Sequence, residues 1–328
     1  MRRITANGPR LGRIAFRASV PLIVVAALAS VPLHGAVLLR PVAYQSTPEA
    51  DAQTTWASCN ANALTGGPST FTPVSDAAAA ALVTHEPETR TDNATPYTIY
   101  GVTYPSTNSY VPSAAQLATF WSAKDSLGQP ILQFNPYLKY VDGLDGLKQP
   151  STDDLIQWGA HKWGIPENWL RAEYVLETYW DSFSRGDLTS VSHADYPLYP
   201  PQSRVRGQFE AYQSLGISQV RWDPEGDVSA GTEPLRHLST AFNIDYQAAM
   251  LRFYYDNPGG ARKEWGDSSY VPCQQWNSIG AWYDPYPWGN SGQAQYVSKV
   301  QSDLAATTWE TPGFLDYTPT LPANVTMQ

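Results

Sequence analysis

Glu177 closes the stretch Trp163-Gly164-Ile165-Pro166-Glu167-Asn168-Trp169-Leu170-Arg171-Ala172-Glu173-Tyr174-Val175-Leu176-Glu177-Thr178-Tyr179-Trp180. Read as a helix, this stretch puts Glu177 on one face with Glu173, Tyr174 and Leu170, and Trp180 one turn beyond. A carboxyl set among aromatic and aliphatic groups is hard to ionise, because its charged form loses water. A carboxyl that keeps its proton near neutral pH is the general acid that cleavage of a glycosidic bond requires. The competing reading of Glu177 is a helix-end glutamate in a surface ion pair.

The other candidate groups are weaker alone. Glu173 stands one turn before Glu177, and two carboxylates so close raise one pKa. Pairing with Arg171 or Lys162, or exposure to solvent, is the favoured reading of Glu173. Asp181, Asp187 and Asp223 are candidates for a second acid, should a glycan be hydrolysed with inversion. Gln219, in Gly216-Ile217-Ser218-Gln219, both donates and accepts hydrogen bonds, which suits a sugar acetamido group. Gly216 lets a chain approach a substrate closely. The Tyr283 hydroxyl can orient Glu177 or touch the adjoining sugar. Gly216, Ser218, Gln219 and Tyr283 therefore form the substrate-binding set, against the alternative of an ordinary loop glutamine and a core tyrosine. Trp282 and Trp288 are sugar platforms or packing residues. No cofactor or metal is expected: His34, His85, His161, His193 and His237 are scattered, and no Cys/His cluster has zinc spacing. No Gly-rich phosphate loop and no Gly-x-Ser-x-Gly elbow occurs.

These residues need helices to hold them. Ser151 with Asp154 makes a capping-box start, and Gly164 a natural stop. Pro166 favours the first turn of the next helix, expected to end after Trp180. Residues 187–203, with Pro197, Pro200 and Pro201, should be irregular, and Val205 to Leu215 helical. Ile244, Ala248, Leu251 and Tyr255 make an amphipathic stripe ended by Pro258-Gly259-Gly260. A last helix runs from Gln293 to about Thr308 on Val297, Val300 and Leu304. No sustained strand alternation interrupts residues 150–309, so the fold class expected is mainly α.

The chain holds 12 Trp and 20 Tyr, and its net charge of −9 argues against a nucleic-acid partner. Arg2, Arg3, Arg10, Arg13 and Arg17 precede an uncharged stretch from Ala18 to Leu39. Residues 1–40 therefore read as a signal peptide or a signal anchor, both of which put the body outside the cytoplasm. Any membrane contact would run through that segment. Residues 41–98, rich in Ser, Thr, Pro, Ala and Gly, read as a low-order linker with one short helix at Ala77–Ala81. Residues 99–149 read as an irregular N-terminal extension packed on the main domain, with strand-like alternation over Tyr97–Tyr104 and a helix over Ala114–Ala123. Residues 150–309 form the main domain and 310–328 a flexible tail. Cys59 and Cys273 are the only cysteines; in an exported chain they pair, the alternative being two unrelated buried thiols.

The helix around Glu177 resembles that of the soluble lytic transglycosylases, whose pattern is roughly Ala-x-x-x-Gly-(Ile/Val)-(Pro/Asp) leading into Ala-x-x-x-x-Glu-Ser. Ala160, Gly164, Ile165, Pro166, Ala172 and Glu177 match, and Thr178 replaces Ser. Gly216-Ile217-Ser218-Gln219 is similar to the family's Gly-Leu-Met-Gln, with Ser218 departing from it. The interval from Glu177 to Gln219 is longer than the family's. Asn243-Ile244-Asp245-Tyr246-Gln247-Ala248-Ala249-Met250-Leu251 resembles its Asn-Ile helix. Ala281-Trp282-Tyr283-Asp284, Trp288-Gly289 and Gln295-Tyr296-Val297 resemble its Ala-Tyr-Asn-x-Gly segment and the helix after it. The resemblance spans residues 151–309, about half the chain. It implies a lysozyme-like fold and a monomer that cuts the β-1,4 links of peptidoglycan glycan strands with one essential acid, Glu177. The substrate's acetamido group would assist, and its own 6-hydroxyl would close an anhydro ring. The rival reading is a cell-wall glycan-binding protein that keeps the scaffold without catalysis.

Overall fold

The computed structural model describes residues 56–57, 59, 71–99, 102–205, 207–226, 229–260, 269–285 and 288–317, all within one compact unit, Pro48–Gln328. The expected leader over 1–40, much of the expected linker and the tail beyond 317 lie outside the described residues. In chain order the elements are α1 (Asp76–Ala80), α2 (Thr91–Ala94), β1 (Tyr97–Ile99), β2 (Val102–Tyr104), α3 (Ala114–Trp121), α4 (Ile131–Phe134), α5 (Thr152–Trp163) and α6 (Glu167–Thr178). Then follow β3 (Arg185–Ser190), β4 (Glu210–Leu215), β5 (Val220–Arg221), α7 (Leu235–Leu238), α8 (Thr240–Asp256), α9 (Gln275–Tyr283), α10 (Ser291–Ala306) and α11 (Pro312–Leu315). The chain is mainly α, with a β1–β2 hairpin and a three-stranded antiparallel sheet in the order β3-β4-β5. No described helix is long and apolar enough to cross a membrane.

Helices α5 and α8 form the centre. Ser151 and Asp154 close a reciprocal capping box, and Gly164 ends α5 in the left-handed conformation. Every residue of α5 but His161 is buried, and α8 is buried along nearly its whole length. The two cross closely because position 159 is glycine: a side chain there would collide with Ile244. Buried Asp245 on α8 then locks the crossing. It accepts from Lys162 Nζ (2.8 Å), Trp163 Nε1 (2.7 Å) and the backbone N–H groups of Asp142 and Gly143. The charge is compensated as well as hydrogen-bonded, which a buried carboxylate requires.

Two expectations fail here. Residues 205–215 are not a helix. Val205, Phe209 and Tyr212 happen to sit at helical spacing, but residues 210–215 pair along β3, with Leu188 opposite Tyr212 and Thr189 opposite Ala211. Gly216 to Gln219 is the tight turn of the β4–β5 hairpin, with Leu215 opposite Val220. A partner strand distant in sequence outweighed the local pattern. Helix α6 also stops earlier than expected, at Thr178. Tyr179 and Trp180 both take positive φ (54° and 63°).

The region read as a low-order linker is in part firmly packed. Trp56 is buried against Tyr255, with ring centroids 4.9 Å apart. The backbone of Val74 bonds to Lys162, and Thr84 exchanges two hydrogen bonds with Gln157 on α5. Cys59 and Cys273 form a disulfide with Cα atoms 5.4 Å apart. Composition marks this stretch as polar because its anchors are few: one Trp, one Cys, and Arg90 and Asn93, both buried. The tail likewise packs as far as residue 317, with Phe314 buried against Trp180.

Candidate functional site

Four parts of the chain converge on the C-terminal end of α6. Thr178 Oγ1 donates to Ile217 O at 2.9 Å, tying α6 to the β4–β5 turn. Ser218, at 0% exposure, donates its backbone N–H to Asn243 Oδ1 and its hydroxyl to the same side chain, tying that turn to α8. From the other side, the Tyr296 hydroxyl on α10 donates to the Glu177 carboxyl, and the Trp282 indole on α9 acts on the same carboxyl as a donor group. The N-terminal segment fastens the last turn. Arg90 Nε donates to Tyr179 O and Asn93 Nδ2 to Trp180 O, both at 2.7 Å. These contacts hold two residues in a conformation that non-glycine residues adopt at a cost.

Glu177 is partly exposed. Burial of its carboxyl pushes its pKa up to about 7; the donors Tyr296 and Trp282 pull it down, and the charge of Asp187 adds to the rise. Its aromatic walls therefore come from α9 and α10. Trp180, expected beside it, turns its indole back to donate to Arg171 O. A carboxyl poised near neutrality, open on one side and held by donors on the other, can give a proton to a bound molecule and take one back.

Glu173 departs from its favoured reading. Arg171 pairs with Asp153 and Glu167, and Lys162 with Asp76, Asp142 and Asp245. Glu173 is fully buried, with the Tyr296 hydroxyl oxygen 3.3 Å from its Oε1 and, among the described residues, no partner for its Oε2. Burial, and then the charge of Glu177, hold its pKa well above the carboxylate range.

The substrate-binding set divides. Tyr283 is 47% exposed and stacks on Tyr296 at 4.6 Å, so its face borders the Glu177 site. Gln219 is partly exposed, but its amide Nε2 donates to Ser184 O (3.2 Å) and Gly216 O (2.9 Å), closing the hairpin turn. Gly216 and Ser218 are buried. Glycine is needed at 216 for its φ of 84° and because a Cβ would stand 2.6 Å from Arg236 O. The close approach is to the protein's own backbone. Among the second-acid candidates, the exposed Asp187 acts electrostatically on Glu177 and Tyr283, and accepts from Ser214 Oγ at 2.5 Å. Asp181 faces Arg90 and Arg185, and Asp223 lies by Tyr199. Tyr296 is the residue that sequence reasoning left without a role: it stands beside the expected stripe of Val297, Val300 and Leu304, and nothing local marks its hydroxyl as a partner of Glu177. Among the described residues no group of His, Cys, Asp or Glu side chains is arranged to hold a metal ion.

The chain matches no protein-family profile, no curated protein and no solved structure.

Proposed function

We propose that this chain is an exported, lysozyme-like enzyme of the lytic transglycosylase or lysozyme type. It cleaves the β-1,4 links between N-acetylmuramic acid and N-acetylglucosamine in peptidoglycan, with Glu177 as its one essential acid. The observation that carries this reading is a partly exposed carboxyl at a helix end, bonded by the Tyr296 hydroxyl and raised by burial to a pKa of about 7. Glu177 gives its proton to the glycosidic oxygen as the bond to the anomeric carbon breaks. The substrate's acetamido oxygen meets the charge at that carbon. Glu177, now a carboxylate stabilised by Tyr296 and Trp282, takes a proton from the 6-hydroxyl as that oxygen closes an anhydro ring. The enzyme ends with the proton it began with.

Further support comes from the order of the parts: a helix ending in the acid, a three-stranded antiparallel sheet, then a buried central helix, with the four matching segments linked in series, Asn243 to Ser218, Ile217 to Thr178 and Tyr296 to Glu177. The basic N-terminus before an uncharged stretch supports export. One observation favours hydrolysis as a second reading: Asp187 lies within electrostatic reach of Glu177 and is exposed, where it can hold a water.

The test is incubation with purified peptidoglycan followed by mass spectrometry of the products. Anhydro-muramyl ends support transglycosylation and reducing ends support hydrolysis. Wall binding without cleavage by the parent protein moves the reading to a glycan-binding protein on the same scaffold.

A further inference from the structure

Glu173 is a second acid in this site, and the reaction above makes no use of it. It rests in full burial one turn below Glu177, with Tyr296 Oη 3.3 Å from its Oε1. The groups facing it are Glu177 and Tyr174 on its own helix and Tyr296 on α10; among the described residues no cation acts on it. Its Oε2 has no hydrogen-bond partner among the described residues. An ionised carboxylate so placed would leave a buried charge uncompensated and a lone pair unmet, whereas a neutral acid leaves only a carbonyl-type oxygen. Burial thus keeps Glu173 protonated, and a protonated carboxyl donates.

That donation decides the direction of the Tyr296 hydroxyl. Tyr296 has one proton and two carboxyls within reach. If Glu173 donates to the tyrosine oxygen, the tyrosine proton goes to Glu177 Oε1. Trp282 can only donate. Tyr296 and the nearby Trp282 are then both donors, so among the described residues the Glu177 proton has no assigned acceptor and faces the open side. We propose that Glu173 is a positioning residue: a permanently neutral acid that, through Tyr296, keeps the Glu177 proton aimed at the substrate. No proton leaves Glu173 during turnover. This inference rests on the reading of Glu177 as proton donor.

The experiment follows glutamate side-chain carbons by NMR in the full, isotopically labelled protein from about pH 5 to about pH 9, a range that begins above the ordinary carboxylate values and crosses that of histidine. One glutamate should stay at the protonated position throughout, and the signal should vanish in Glu173→Gln. In the parent alone, the absence of any non-titrating protonated glutamate overturns the proposal, whether or not the variant folds. Kinetics add a second arm on wall material. Glu173→Gln keeps a neutral donor and should retain kcat and the pH profile, while Glu173→Met, which has no donor, should lose about tenfold or more in kcat with KM little changed. An alkaline limb that moves down in Glu173→Gln would mean that a negative charge had been removed, and would also overturn it. If no protein in the series cleaves glycan, the enzymatic reading fails while the NMR arm still decides the state of Glu173.

Discussion

The Tyr296 hydroxyl on α10 donates to Glu177 Oε1 on α6, joining residues 119 positions apart. The bond favours the carboxylate, and so opposes the effect of burial on Glu177. Tyr296→Phe removes the donor and keeps the ring that stacks on Tyr283. The Glu177 pKa should then rise by about one unit, worth about 1.4 kcal/mol. The alkaline limb of the pH–rate profile should move up, and kcat should fall about tenfold because the departing proton leaves a less stabilised carboxylate. A profile unmoved by Tyr296→Phe would contradict the assigned bond.

Glu177→Gln keeps size and hydrogen bonding but has no proton to transfer. Cleavage of wall glycan should drop by about 10²–10⁴-fold, the range of general acid–base catalysis, with binding retained. Stability should move in the opposite sense. The folded-state pKa is raised from 4.5 to about 7, so the folded protein holds a proton that the unfolded chain has released. Ionising Glu177 therefore opposes folding; the penalty is absent below about pH 4.5, grows through about pH 7 and is full above it. Glu177→Gln should be more stable than the parent by on the order of 2–3 kcal/mol at about pH 8, and equal to it at about pH 4. Urea unfolding at the two pH values measures this.

The helices around Glu177 were legible in the sequence, because capping and periodicity are local properties. Ser151, Asp154 and Gly164 bound α5 as expected, and Asn243 to Leu251 lie within α8. What could not be read depends on distant partners. Residues 210–215 pair with β3 across a long loop, so their helical spacing misleads. Gly216 and Ser218 look like a substrate loop until Asn243 is seen packed against both. Arg90 and Asn93 sit in a polar stretch that gives no sign of where their side chains bury.

Asn93 supports the turn after Glu177 from outside the main domain. Its amide donates to Trp180 O and Thr152 Oγ1, and its Oδ1 accepts from the Ser182 N–H at 3.0 Å. Asn93→Ala leaves these buried groups unpaired and frees a turn held at positive φ. We expect a loss of about 2–3 kcal/mol in denaturant unfolding. The variant should also show a lower kcat under conditions where it remains folded, since the turn follows Glu177 directly. A variant with parental kcat would limit the N-terminal segment to a stabilising role.

The Cys59–Cys273 bond closes a loop of 214 positions and pins the segment around Trp56 beside Tyr255. The chain-entropy account gives about 5 kcal/mol for so long a loop, and about 2–5 kcal/mol is the usual loss on removing a native bond. The double variant Cys59→Ala/Cys273→Ala should unfold at clearly lower denaturant than the parent. The unreduced parent, unfolded, should offer no thiol to a labelling reagent; two labelled cysteines would refute the bond.

Asp187 acts on Glu177 from the sheet side, and its effect is opposite in sign to that of Tyr296. Its negative charge disfavours the Glu177 carboxylate and so helps hold the proton. Asp187→Asn removes that charge, so the alkaline limb should move down, where Tyr296→Phe moves it up. The size of the rate change separates two chemistries. Ring closure by the substrate's own 6-hydroxyl needs only Glu177 as base, so Asp187→Asn should then change kcat by less than about tenfold. A water attacking the anomeric carbon needs a carboxylate to activate it, and its loss should cost about 10²-fold or more. The product ends must agree: anhydro ends with the small effect, reducing ends with the large one. A large loss of rate together with anhydro products would leave Asp187 with a role that neither chemistry supplies, and would send the search for its partner back to the substrate.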